Sequence, residues 1–351
     1  MEMRGAVRGS LLVGAGCLGA IVIAFGCSDS DSGGSSFGGG SGAGGTIAIG
    51  GAAGSGGAMN VGGNAGAAGG GQGGSGGKPP VGCGNVVTGT VRDFHAGVDF
   101  QCNNSGFTDT WNKDCGPWDP AIVGPLGSAI GAGRKPVFAG SGKTPSTTSG
   151  ANFDQWYTDV AGVNLSSELA LTMTAGSAGT FVYETAFFFP IDDKLFAASP
   201  GDPDKGPYKS DDQAVRNFHF TYELHTTFRY DAGNVFTFRG DDDVFVYIAD
   251  KLAVNLGGIH VPMQSKINLD TGRVEVTVPA EFQAALPPPE PKPEFGFTEK
   301  IDGGVAGTVP LNLTPGQEYN MDFFFAERNC CASNFRMETN FVFVNCGVGP
   351  K

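Results

Sequence analysis

Positive charge is scarce in this chain. Its 22 lysines and arginines stand against 35 aspartates and glutamates, a formal net charge of −13. That balance excludes nucleic acid and anionic membrane surfaces as partners, because both need a basic footprint, and favours cations and neutral ligands. Missing too are a nucleophile elbow, a phosphate-binding loop, a zinc-hydrolase helix and any marked catalytic carboxylate pair, so the chain is not expected to be an enzyme. There is no Cys-x-x-Cys and no closely spaced Cys/His pair, which argues against a zinc site. Few stretches have helical length or period, and no apolar run spans a bilayer comfortably. The longest, Leu11 to Phe25, is broken by glycine and comes after Arg4 and Arg8, and it reads as a secretory signal.

Beyond the signal, glycine dominates. Residues 28–80 are mostly glycine, serine and alanine, with Asp29, Asp31 and Lys78 as the only charges. Such a composition buries too little apolar surface to offset the entropy of ordering. It predicts a flexible tether with a root-mean-square span of about 36 to 44 Å. The signal ends in Ala24-Phe-Gly-Cys27, which resembles a bacterial lipobox with alanine where leucine is usual. That resemblance implies lipidation of Cys27 and a membrane attachment made only through the anchor; the alternative is an ordinary signal peptide cut nearby. With Cys17 assigned to the signal and Cys27 to lipid, Cys83, Cys102, Cys115, Cys330, Cys331 and Cys346 remain. An even number beyond a signal is the expected disulfide inventory of an exported protein, with the pairing left open. The reading is thus a signal peptide over 1–26, a linker over 27–82 and one folded domain over 83–348, located in the cell envelope as an outer-membrane lipoprotein or at the cell surface.

The folded part is rich in phenylalanine and in short β-type runs, which predicts one large all-β domain. Its most informative stretch runs from Asn217 to Asp270. Phe218, Phe220, Tyr222, Leu224, Phe228 and Tyr230 share one parity while His219, Thr221, Glu223, His225, Thr227 and Arg229 take the other, the pattern of a half-buried strand. Asp231 to Asn234 is a turn by composition, and Val235 to Phe238 a second strand that delivers the chain to Asp241, Asp242 and Asp243. Val244 to Ile248 is apolar at every position, which predicts a strand covered on both faces, leading to a tight turn at Ala249-Asp250.

FRGDDDVFVYIADKLAVNLGGIH, residues 238–260, resembles the signature of the fibro-slime domain, an extracellular module related to the PA14 β-sandwich. The likeness extends from Gly89-Thr-Val-Arg-Asp-Phe94 to Ala326-Glu-Arg328 and Ser333-Asn-Phe-Arg336, roughly residues 85 to 346. It implies a PA14-like β-sandwich, with a cis peptide at Asp241-Asp242 and a Ca2+ ion held by Asp241, Asp242 and Asn334. It also implies a role in carbohydrate binding or adhesion toward an extracellular or cell-wall polysaccharide, with Asp243 and His260 flanking the ligand. Calcium suits such a set because it accepts six to eight oxygen ligands in loose geometry. Two other readings stay open: a structural matrix or envelope protein with no ligand, its aspartates only capping a turn, and a carbohydrate-active enzyme.

Other candidates are weaker. In a strand rising about 3.3 Å per residue, His219 lies roughly 13 Å from Glu223, so only Glu223 and His225 could converge. Glu327-Arg328 reads as a structural ion pair. Residues 271–310, with the polyproline segment Pro287 to Pro293, read as a loop insertion.

Overall fold

The computed structural model describes residues 83, 85–95, 99–100, 118–198, 214–328 and 332–350. The expected signal, the tether, Cys27, Cys102, Cys115, Cys330 and Cys331 lie outside the described residues.

Period-two patterning produces two antiparallel sheets whose apolar faces meet, a β-sandwich. The first sheet holds β1 (Val86–Phe94), β2 (Asn164–Thr172), β5 (Phe220–Arg229), β7 (Asp243–Ile248), β8 (Lys251–Leu256) and β13 (Glu318–Glu327), in the order β2-β1-β5-β13-β7-β8; β15 (Val342–Asn345) also pairs with β5. The second holds β3 (Thr174–Ala175), β4 (Phe181–Thr185), β6 (Val235–Gly240), β9 (Met263–Asn268), β10 (Arg273–Thr277), β11 (Phe297–Ile301), β12 (Gly304–Thr308) and β14 (Phe335–Thr339). Their order is β11-β12-β10-β9-β6-β14-β4-β3. Between the sheets lie Phe220, Tyr222, Leu224 and Phe228 of β5, Val244, Val246 and Ile248 of β7, Phe323 and Phe325 of β13, and facing them Phe236, Phe238 and Phe335. Each such side chain contributes about 1.5 to 3 kcal/mol of burial.

The predicted half-buried strand is buried on both faces. Thr221, Glu223 and His225 are covered because the long connection from β1 to β2 lies over the outer face of the first sheet. There Phe153, Trp156 and Tyr157 pack on Phe245, Tyr247 and Phe324 as a second core. The polar parity of β5 therefore meets charges rather than water. Glu223 accepts from Arg92 and Lys135, His225 sits between Glu223 and Asp322 (Nδ1 to Asp322 Oδ1 2.6 Å), and Arg134 reaches Asp322 and Asp250.

Residues 271–310 also depart from expectation. They form no simple loop: β10, β11 and β12 extend the second sheet beyond β9, with Val276 opposite both Ser265 and Val305. The strand signal there is short and interrupted by prolines, but each piece has a neighbour to complete its hydrogen bonds. The predicted turn at Ala249-Asp250 is present, with φ of 48° and 67°.

Cys83 and Cys346 form a disulfide that ties together chain positions 263 residues apart. Cys83 N–H also donates to Phe343 O at 3.2 Å, and Phe343 pairs with Phe228 near the end of β5.

Both ring nitrogens of His225 face carboxylates, so the imidazolium, which donates twice, is the form that fits. Burial pulls its pKa down, but the bonds to Asp322 and Glu223 outweigh burial and hold it above 6.5. Burial pushes Glu223 up, yet His225, Arg92 and Lys135 hold it below 4.5. The His225 contribution is therefore complete below about pH 6.5 and is lost as pH rises through the raised value, whereas Glu223's is lost only as pH falls through its lowered one. Urea midpoints between pH 5 and 9 should show an alkaline decline in the wild type that His225→Gln removes. Lys135, whose pKa burial pulls down, titrates in both proteins, so the difference between them isolates the histidine. Parallel pH profiles would contradict this.

Candidate functional site

Three crossings from one sheet to the other meet at one edge of the sandwich. The first is Asp241-Asp242, between β6 of the second sheet and β7 of the first; the second runs from β13 to β14, and the third is the Gly257 to His260 loop between β8 and β9. Pairing sets their proximity. Phe335 stands opposite Gly240, which brings Asn334 beside Asp241, and Ala326 stands opposite Asp243, which brings Glu327 and Arg328 beside Asp242. Gly240 is required by this approach: a Cβ there would lie 2.2 Å from Asn334 O.

The three aspartates divide their work. Asp241 Oδ1 accepts from Asn334 N–H and its Oδ2 from Asn334 Nδ2 at 3.1 Å. Asp242 Oδ1 accepts from His260 N–H at 2.9 Å and its Oδ2 from Arg328 N–H at 3.0 Å, so one carboxylate clasps the other two crossings. Asp243 turns to the outer face and takes a two-pronged bond from Arg328, Nε to Oδ2 at 2.6 Å and Nη2 to Oδ1 at 3.0 Å, with Gly258 N–H donating to Oδ1 at 2.7 Å. Gly258 has φ of 118°, a conformation that favours glycine. The Asp241-Asp242 peptide is cis.

Arg328 is fully buried. Its Nη1 donates to Ser146 O at 2.6 Å and Asp99 O at 3.2 Å, and the guanidinium lies 4.7 Å from the Trp156 ring centre. The expected Glu327-Arg328 pair is absent, because neighbours on a strand point to opposite faces: Arg328 goes outward to Asp243 and Glu327 inward to the aspartates. Asp243, expected to flank a ligand, is occupied by Arg328. His260 meets the site through its main chain only. Its ring faces Val261 O at 2.9 Å and Leu256 O at 3.1 Å, and burial lowers its pKa.

Electrostatics at the edge are unbalanced. Burial and then the charges of Asp241 and Asp243 push Asp242 well above the usual carboxylate range, and burial, then Asp242 and Asp241, do the same to Glu327. Burial also raises Asp243, to about 6, against the pull of Arg328. Sequence reasoning missed Glu327 as a member of this group. The β7–β13 register would have revealed it, because the Ala-Glu-Arg run lies opposite the triplet. A second missed neighbour is Phe187, 46% exposed, which bridges to Ser333 next to Asn334.

Among the described residues, no three aspartate, glutamate, histidine or cysteine side chains gather tightly enough to make a ready metal cage. The oxygen set at this edge nevertheless suits a hard cation: two carboxylates, the Asn334 Oδ1 left by its amide bond to Asp241, and the buried Glu327 Oε2, which has no hydrogen-bond partner among the described residues. Two clefts, of about 260 and 370 Å³, lie elsewhere. One is lined by Lys135, Val137, Phe153 and Tyr157, the other by Trp118, Met263 and the proline-rich segment.

The chain is similar to several proteins of Dictyostelium discoideum. It is 32% identical to protein psiR over 230 residues (63% of this chain, 19% of psiR), 30% identical to protein psiD over 243 residues (66% and 39%), and 29% identical to protein psiQ over 228 residues (63% and 19%). It thus spans between a fifth and two-fifths of the length of these relatives. No family model and no solved structure matches it.

Removing one member of a buried pair strands the other's charge, at a cost of about 3 to 5 kcal/mol. Asp243→Asn should lower stability by about that much in urea unfolding, and Arg328→Lys should fall short of wild type because lysine lacks the planar fork that serves Asp243 and two carbonyls together. An Asp243→Asn midpoint equal to wild type would show that the pair carries no such role.

Proposed function

We propose that this edge holds a calcium ion through Asp241, Asp242 and Asn334 and that the protein is a cell-surface carbohydrate-binding or adhesion module of the fibro-slime, PA14-like kind. The observation that carries the reading is the meeting of Asp241 and Asn334, 93 residues apart, beside carboxylates that burial and mutual repulsion hold far above their ordinary pKa. A divalent cation relieves that repulsion and stabilises the folded state by mass action. When bound, the ion offers coordination positions to neutral oxygen donors such as vicinal sugar hydroxyls. Phe187, exposed beside Ser333, supplies an apolar surface next to the same residues.

The placement of the folded domain's first residues supports display. Cys83 is fixed near Phe228 at one end of β5, whereas the aspartates lie near its other end, by Phe220. Eight residues of strand separate the two by roughly 26 Å. An exported chain anchored at Cys27 would display this domain toward an extracellular or cell-wall polysaccharide. A second reading, a structural matrix or envelope protein without a ligand, is favoured by one observation: Asp242 and Asp243 already cap the His260, Arg328 and Gly258 amides and bind the Arg328 guanidinium.

Calcium should raise the thermal midpoint of the mature protein above that in excess chelator, and Asp242→Ala should abolish both this shift and calcium-dependent retention on polysaccharide. Equal midpoints with and without calcium would overturn the metal assignment. Retention that survives both chelator and Asp242→Ala would place carbohydrate binding on another surface.

A further inference from the structure

We infer that Glu327 is a third carboxylate ligand of the cation at this edge, closing the site from inside the sandwich. The inference rests on the calcium reading above and adds to it a residue that the sequence pattern had assigned elsewhere.

Position comes first. Phe323 and Phe325 of β13 point between the sheets, and Glu327 comes next at the same parity, so its side chain enters the inter-sheet space where the apolar series ends. With Ala326 opposite Asp243, Glu327 falls next to Asp242, on the side away from Arg328. Its neighbours in charge are Asp242 and Asp241. The guanidinium of Arg328 gives Glu327 no hydrogen bond, since its nitrogens are committed to Asp243, Ser146 O and Asp99 O.

Satisfaction comes second. Glu327 is 1% exposed, and its Oε2 has no hydrogen-bond partner among the described residues. The Ser333 hydroxyl lies within hydrogen-bond reach of Glu327 and of Phe188 O, at 2.9 Å from the latter, and its single proton relieves the carboxylate only in part. A buried carboxylate with an unpaired oxygen costs several kcal/mol unless something completes it, and a phenylalanine continuing the series would have avoided the cost. A cation completes it. With a cation bound, Asp241, Asp242 and Glu327 would supply three ionised carboxylates, none of them hydrogen-bonded by the Arg328 guanidinium, enough to match a divalent ion, and a larger count of charged oxygens favours calcium binding. The three are not gathered into a cage as they stand, because Asp241 turns to Asn334 and Asp242 to two main-chain amides.

The rival role is a neutral acid that only fills space, and glutamine imitates it: same shape, no charge. Calcium chloride is titrated calorimetrically into wild-type protein and Glu327→Gln, each first shown to be folded in chelator by its near-ultraviolet dichroism. The expected result is calcium affinity reduced about tenfold or more in the variant, a correspondingly smaller calcium-induced rise in thermal midpoint, and a chelated midpoint no lower than wild type. Equal calcium affinity in the two proteins would overturn the inference and leave the Asp241, Asp242 and Asn334 assignment standing. Absence of calcium binding by wild type would overturn both. Should Glu327→Gln fail to fold, Glu327→Asp keeps the charge on a shorter arm. Calcium binding by that variant as tight as wild type would count against a ligand that must reach, and weaker binding for it.

Discussion

A fully buried ion pair holds the edge of this sandwich together. Arg328 commits every nitrogen of its guanidinium, two to Asp243 and one to carbonyls from two separate stretches of the long β1–β2 connection, with Trp156 beneath it. Such a pair adds little net stability over an apolar substitute, because desolvation consumes much of the attraction. Its contribution is position. Three backbone crossings and the covering layer are referred to one rigid group, and the aspartates on the other side of the strand inherit that placement.

Strand geometry explains how a run of three identical residues does three jobs. Successive side chains alternate faces, so Asp243 is committed outward to Arg328 while Asp242 stays at the crossing with its oxygens on main-chain amides from the other two segments. Those amides have no strand partner at the point where the chain changes sheets, and a carboxylate is the short acceptor that satisfies two at once. Capping the crossings and holding a cation are compatible, since each carboxylate oxygen keeps a further lone pair.

Much of the fold was legible because its signals are local. Val244 to Ile248 is apolar at every position and is buried on both faces; Ala249-Asp250 turns as its neighbours required. The failures share a cause in long-range pairing. Thr221, Glu223 and His225 are polar, and alternation says only that they do not join the inter-sheet core. That Glu223 and His225 meet Arg92, Lys135 and Asp322 instead of water depends on an aperiodic connection lying over them. Residues 273–308 became sheet because β9 offered an open edge, a fact about a neighbour and not about their own pattern. Asn334 was placed by resemblance and Glu327 was assigned to the wrong partner, because both positions depend on cross-strand registers that a single chain does not display.

The misassigned glutamate sharpens the chemical reading of the edge. In sequence, Glu327 and Arg328 are adjacent opposite charges, and the economical expectation is that they cancel. The fold separates them by the thickness of one strand, giving the arginine to Asp243 and leaving the glutamate with Asp241 and Asp242. Cancelling charge on the outer face therefore concentrates it on the inner one. A protein that needed only a capped turn would be better served by an apolar residue at 327 and by fewer acids at the crossing. Carboxyl groups crowded in a nearly dry site, where burial and mutual repulsion oppose their ionisation, are the arrangement that the proposed cation would relieve.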